Sequence, residues 1–263
     1  MNLELTGDRI LVVGASEGIG YATARALAAE GAQVVLASRN KQGVEHAARR
    51  LADDVGLPVE GLVVDVTDAA SVLALHAEWL ARGWPLDALV VATGGSRRSR
   101  FEALDDEAWL ANYQFNVLGG VRLVRAFLPL LRQAESPRVL LFGAAASKMP
   151  YPNQVVSNVH KAGLLALTKT LAGELAPEGI RVNSVCPGRT LTKLWTDRAR
   201  DLARDEGVTE SAIIERFAEE ILIGRFAEAS EIADVAAFLL SARASYIVGQ
   251  SINVDGGIAR GLL

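Results

Sequence analysis

The aliphatic run Arg9–Gly14 leads into Val13-Gly14-Ala15-Ser16-Glu17-Gly18-Ile19-Gly20, and apolar residues then recur at three- and four-residue spacing through Glu30. This order of strand, glycine turn and helix constrains the chain more than any other feature. Gly14 permits a tight turn, Gly18 lets the backbone approach a bound group, and Gly20 lets the helix lie close to the strand. The helix N-terminus turns its free N–H groups and positive dipole end toward the same loop, which suits a pyrophosphate. A dinucleotide site is therefore expected at Gly14, Ser16, Glu17, Gly18, Ile19 and Gly20. The alternative, a loop that only turns the chain, fits this context poorly.

Further β-branched runs follow at Ala32–Ser38, Val59–Asp65, Leu86–Ala92, Arg138–Gly143, Ile180–Cys186 and Ile247–Val254. Between them lie segments of helical period such as Ile19–Glu30, Lys41–Asp54 and Ala69–Ala81. The strands are nearly continuous in apolar residues, as strands covered on both faces are. The expected architecture is α/β: a single Rossmann domain over residues 1–263, with a doubly wound parallel sheet of about seven strands and helices on both faces. Residues 190–224 carry many charges on a helical period and read as a pair of helices covering the site, not as a second domain.

Bulk properties narrow the function. The net charge of −4 is spread along the chain, so no nucleic-acid surface is expected. The lone cysteine, Cys186, cannot form an internal disulfide, and a reducing cytoplasm is the default. The start lacks a basic segment followed by a long apolar one, so no signal peptide is expected. The longest apolar runs, Ile10–Ala15 and Val139–Ala146, fall far short of the roughly 20 residues that span a bilayer. His46, His76 and His160 show no ligand spacing with one another or with Cys186, so no metal is expected.

The Gly-xxx-Gly-x-Gly spacing resembles that of the short-chain dehydrogenase/reductase family, and the likeness continues over nearly the whole chain, toward its 3-oxoacyl-carrier-protein reductases. Asp65-Val66 resembles the segment in which the family's Asp contacts adenine. Pro187, Gly188 and Thr192 match its segment around the nicotinamide, and Gly94 matches the glycine after its fourth strand. Ser245 to Gly257 resembles its last strand and terminus. The resemblance implies NAD(P)-dependent hydride transfer between a cofactor and a small carbonyl or alcohol substrate. It also implies a homodimer or homotetramer packed through the long helices Asn112–Leu131 and Val155–Leu175. At the end of the second strand, an Asp would hold the ribose 2′-OH of NAD; Ser38 and Arg39 stand there instead, and an arginine can clamp a 2′-phosphate. NADP is favoured over NAD, with Glu17 a contrary charge nearby.

At the chemical centre the likeness breaks. Lys161 aligns with the family lysine, which lowers the pKa of a tyrosine and holds the nicotinamide ribose, and Asn116 aligns with the family asparagine. The tyrosine position, four before Lys161, is Ser157, and the family serine position is Ala144. Val13 and Val91-Ala92-Thr93 depart as well. Ser157 and Lys161 share a helix face, but a serine hydroxyl is a far weaker acid than a phenol. Tyr151, His160, Ser147 and Lys148 are nearby candidates, each more simply explained by local packing. Arg97, Arg98 and Arg100 read either as attraction for an acidic, phosphorylated or acyl-thioester substrate, or as a solvated loop. Trp109, Trp195 and Phe217 read either as pocket lining or as helix packing.

Two functions follow. One is an NADP-preferring oxidoreductase in which Lys161, Asn116 and Ser157 (or a water) handle the proton. The other is a catalytically silent dinucleotide-binding sensor or subunit of a hetero-oligomer. Nothing positive favours an isomerase or dehydratase.

Overall fold

The computed structural model describes residues 2–95 and 98–261. Seven strands form one parallel sheet: β1 (Arg9–Val13), β2 (Gln33–Ser38), β3 (Glu60–Val63), β4 (Ala88–Val91), β5 (Arg138–Phe142), β6 (Arg181–Pro187) and β7 (Ser251–Val254). Their order is β3-β2-β1-β4-β5-β6-β7, with Val12 of β1 opposite Leu36 of β2 and Val90 of β4. Side chains alternate across the sheet, so Ile10 and Val12 join one core while Leu11 and Val13 join the other. Helices α1 (Gly18–Ala29), α2 (Lys41–Val55) and, near the end of the chain, α9 (Ala229–Leu240) cover the first face. The second is covered by α3 (Ala69–Ala81), α5 (Gly119–Leu131) and α6 (Val155–Leu175), around Trp79 and Phe127. The other α-helices among the described residues are α4 (Asp106–Tyr113), α7 (Lys193–Glu206) and α8 (Glu210–Ala218), the last two lying within residues 190–224. No helix among the described residues is long and apolar enough to cross a membrane.

Two local expectations need correction. The helix expected at Asn112–Leu131 starts earlier, where Asp105 Oδ1 accepts from the Ala108 N–H at 2.8 Å. It is also interrupted by a π-helical turn, Gln114–Leu118, which carries Asn116. The last strand is shorter than Ile247–Val254 because the side chain of Asn183 replaces the ladder before it. Asn183 Nδ2 donates to the Ile247 carbonyl at 2.7 Å, and its Oδ1 accepts from the Gln250 N–H at 2.9 Å.

The chain winds outward from β1 to β3, then restarts at β4 on the other side of β1. Such a reversal opens a crevice beyond the carboxyl ends of the strands, where ligands of these sheets bind.

Candidate active site

A cavity of about 580 Å³ opens at that reversal. Gly14, Ser16, Glu17, Gly18, Ile19 and Gly20 form one wall of it. Gly14 has φ +87°, and a Cβ there would stand 2.7 Å from the Ala92 carbonyl oxygen, so the turn admits only glycine. A Cβ on Gly20 would collide with the Gly14 carbonyl. Thr192, at the start of α7, approaches Gly18 from above; a Cβ on Gly18 would lie 3.6 Å from its methyl group.

At the far end the cavity is lined by Ser38, Arg39, Val66 and Phe115. The Ser38 hydroxyl is buried and has no hydrogen-bond partner among the described residues. The Arg39 guanidinium lies 5.2 Å from the ring centroid of Phe115, held by cation–π attraction. Asp65 stands between two lining residues, Val64 and Val66, but does not itself line the cavity. Its Oδ1 accepts from the Thr67 hydroxyl at 2.7 Å and the Thr67 N–H at 2.9 Å. Those bonds, with the charge of Arg39, hold its carboxyl below the usual range. Glu17 lies within electrostatic reach of Lys193 and favours the charged lysine, so its own charge is partly offset.

An orphaned hydroxyl, a poised guanidinium and a loop closed to any side chain fit the phosphates and ribose of a dinucleotide.

A smaller cavity of about 190 Å³ adjoins the first, sharing Ile19, Gly94 and Leu194 with it. Ser157, Lys161, Pro187 and Gly188 line it. Ser157 and Lys161 lie one turn apart on α6, only 3% and 8% exposed. Lys161 Nζ donates to the Phe142 carbonyl at 3.0 Å, and burial pushes its pKa down to about 8. Asn116 lines neither cavity but meets them from behind. A Cβ on Gly94 would collide with Lys161 Nζ and stand 3.0 Å from Asn116 Oδ1, so three chain-distant residues converge there.

Other sequence candidates lie elsewhere. Tyr151 packs into a cluster with Phe226 and Ile258, its hydroxyl buried, and burial pushes its pKa up to about 12. Lys148 Nζ donates to the Ser251 carbonyl at 2.7 Å. Ser147 Oγ accepts from the Ala144 N–H at 3.1 Å. His160 bonds to Asn112 and lines neither cavity. Arg97 lies outside the described residues; Arg98 lies over Phe217, and Arg100 pairs with Glu102 at 2.7 Å. Trp195 and Phe217 pack edge-on at 5.3 Å, and Trp109 packs against His160. Among the described residues no group of three or more His, Cys, Asp or Glu could hold a metal ion.

Phe115 and Gln154 line the cavities but were given no role by the sequence. Phe115 carries no spacing signal. Gln154, 7% exposed beside Ser157, lies three residues before it, and that helical interval was the one available clue.

The model of the family described as enoyl-(acyl carrier protein) reductase matches residues 14–259. The chain belongs to the short-chain dehydrogenase/reductase family. It is 34% identical over 258 residues to the 3-oxoacyl-acyl-carrier-protein reductase FabG of Escherichia coli (strain K12), covering 98% of this chain and 99% of that one. Among solved structures, L-sorbose reductase from Gluconobacter frateurii, complexed with NADPH and L-sorbose, superposes with a TM-score of 0.96 at 33% identity over 100% of both chains. A short-chain oxidoreductase from Pseudomonas aeruginosa PAO1, bound to NADPH and containing an atypical catalytic center, superposes with a TM-score of 0.89 at 30% identity over 97% of both. As a short-chain dehydrogenase/reductase, the chain places its glycine loop on the larger cavity and Lys161, with Ser157 one turn before it, on the adjoining smaller one.

Proposed function

We propose that this protein is a working reductase that transfers hydride between NADP(H) and a small carbonyl or alcohol substrate, with Lys161 and Ser157 handling the proton. The observation that carries it is the meeting of buried Lys161 and Ser157 on one small cavity that opens into the larger glycine-loop cavity.

NADPH, when bound, supplies the hydride that reaches the carbonyl carbon. Gly14, Gly18 and Gly20, with the N-terminus of α1, would hold the pyrophosphate. Ser38 and Arg39 would hold the 2′-phosphate, Pro187, Gly188 and Thr192 the nicotinamide end, and Val66, with Asp65 beside it, the adenine. As negative charge grows on the substrate oxygen, Ser157 Oγ donates its proton to that oxygen. It recovers one from the Lys161 ammonium, which draws in turn on solvent. One ketone, one hydride and one proton thus become one alcohol. A serine alone is too weak an acid for this, and a lysine whose pKa lies near neutrality supplies what the absent phenol would have. Asn116 holds the site from behind.

The test is fluorescence titration with NADPH and NADH, followed by turnover of ketones and 3-oxoacyl thioesters. NADPH binding with turnover is expected; failure to bind either nucleotide overturns the proposal. Ala144 and Ser157 motivate a second reading, a silent nucleotide-binding sensor or subunit, which binding without turnover would favour. Leu110, Tyr113 and Val159 are exposed apolar side chains on α4 and α6, and they support self-association through these helices in the cytoplasm.

A further inference from the structure

His160 adjoins Lys161 in sequence but points to the other side of α6. It is 8% exposed, with the rings of Trp109 and Tyr113 edge-on at 5.5 and 5.6 Å. Its Nδ1 lies 2.7 Å from Asn112 Oδ1, on the helix that carries Asn116.

The hydrogens of this cluster follow from a single main-chain group. The Gly95 N–H lies 3.1 Å from the Asn116 side chain and can only donate, so the atom that receives it is the amide oxygen. The other branch of Asn116 is then the NH2 group. It donates to the Asn112 carbonyl at 3.1 Å and to the Asn112 side chain at 3.2 Å. That second contact requires an oxygen, so Asn112 also has its orientation assigned. Its Oδ1 is the atom facing His160, and Nδ1 of the imidazole must therefore carry a hydrogen. One chain of donors runs from the loop after β4 through the π-helical turn to α6.

We infer that His160 is a positioning residue for the reductase site, an inference resting on the function proposed above. Its Nδ1–H holds Asn112 Oδ1 in place from one side while Asn116 holds it from the other. Asn116, fixed in this way, fixes the Gly94–Gly95 loop that Lys161 faces. The positioning matters because the loop spans the junction of the two cavities, where a small displacement separates the reacting groups. Simple packing of an imidazole between two rings would need no donor toward Asn112, so the two accounts separate by experiment.

The test compares full-length wild type, His160→Phe and His160→Asn. Phenylalanine keeps a ring between Trp109 and Tyr113 but removes the donor; asparagine places an amide nitrogen where Nδ1 stood. Long-range proton–nitrogen NMR should find the Nδ1–H tautomer in wild type. His160→Phe should speed hydrogen exchange of the Asn116 carboxamide and shift the Gly95 amide signal. It should also lower kcat roughly tenfold while leaving the NADPH Kd within about twofold, and His160→Asn should restore both. An Nε2–H tautomer, or a His160→Phe protein with unchanged Asn116 and Gly95 signals, overturns the positioning role. The expected NMR differences between wild type and His160→Phe, together with a wild type that turns over no substrate, overturn the reductase reading alone.

Discussion

Lys161 Nζ donates to the main-chain carbonyl of Phe142 at 3.0 Å, at the carboxyl end of β5, and the buried lysine is thereby tied to the wall of the smaller cavity. Burial is the largest cause of its lowered pKa, about 8 against an ordinary 10.5. The unfolded chain therefore holds one more proton than the folded one between about pH 8 and 10.5. Stability lost to burying the charge is recovered as pH rises through that window. Lys161→Met should have the higher Tm at pH 7, and its advantage should shrink from pH 8 upward. Thermal melts across this range check it. The carbonyl-reducing rate of wild type should fall as pH rises through about 8, where the ammonium is lost.

Ser157→Ala should lower kcat by about 10²-fold, the lower end of what a positioned proton donor contributes, without weakening NADPH binding. Steady-state kinetics paired with nucleotide titration separates the two effects. Unchanged turnover would assign proton delivery to water.

Arg39→Ala should weaken NADPH binding about tenfold and leave NADH nearly unaffected, since the guanidinium answers only the 2′-phosphate. Glu17→Arg should move preference the other way, strengthening NADPH by replacing a repelling charge with an attracting one. Titration of both nucleotides against both variants measures each change.

Gly20→Ala should cost about 2–4 kcal/mol of stability and abolish nucleotide binding, because its methyl group meets the Gly14 carbonyl, part of a backbone that cannot rotate aside. Urea unfolding and the same titration provide the measurements.

The architecture was legible in the sequence because its signals are local. Strands such as Arg9–Val13 announce themselves as short aliphatic runs, α3 keeps its expected bounds Ala69–Ala81, and the glycines of the first turn report a backbone need. The end of the sheet was less legible. Ile247–Gln250 has the composition of a strand, yet the side chain of Asn183, 64 residues before Ile247, takes the Ile247 carbonyl and so replaces a ladder partner.

The amino-acid order alone determined the parallel α/β sheet, the glycine loop, the Ser38–Arg39 pair and the one-turn spacing of Ser157 and Lys161. These rest on spacing of a few residues, which helix and strand periods convert directly into shared faces. Only the tertiary structure decided that Phe115 lies under Arg39 and that His160 reaches Asn112 across 48 positions. Such meetings depend on how whole helices rotate and settle against the sheet. That packing is decided by the summed burial of many side chains, which no short stretch of sequence contains.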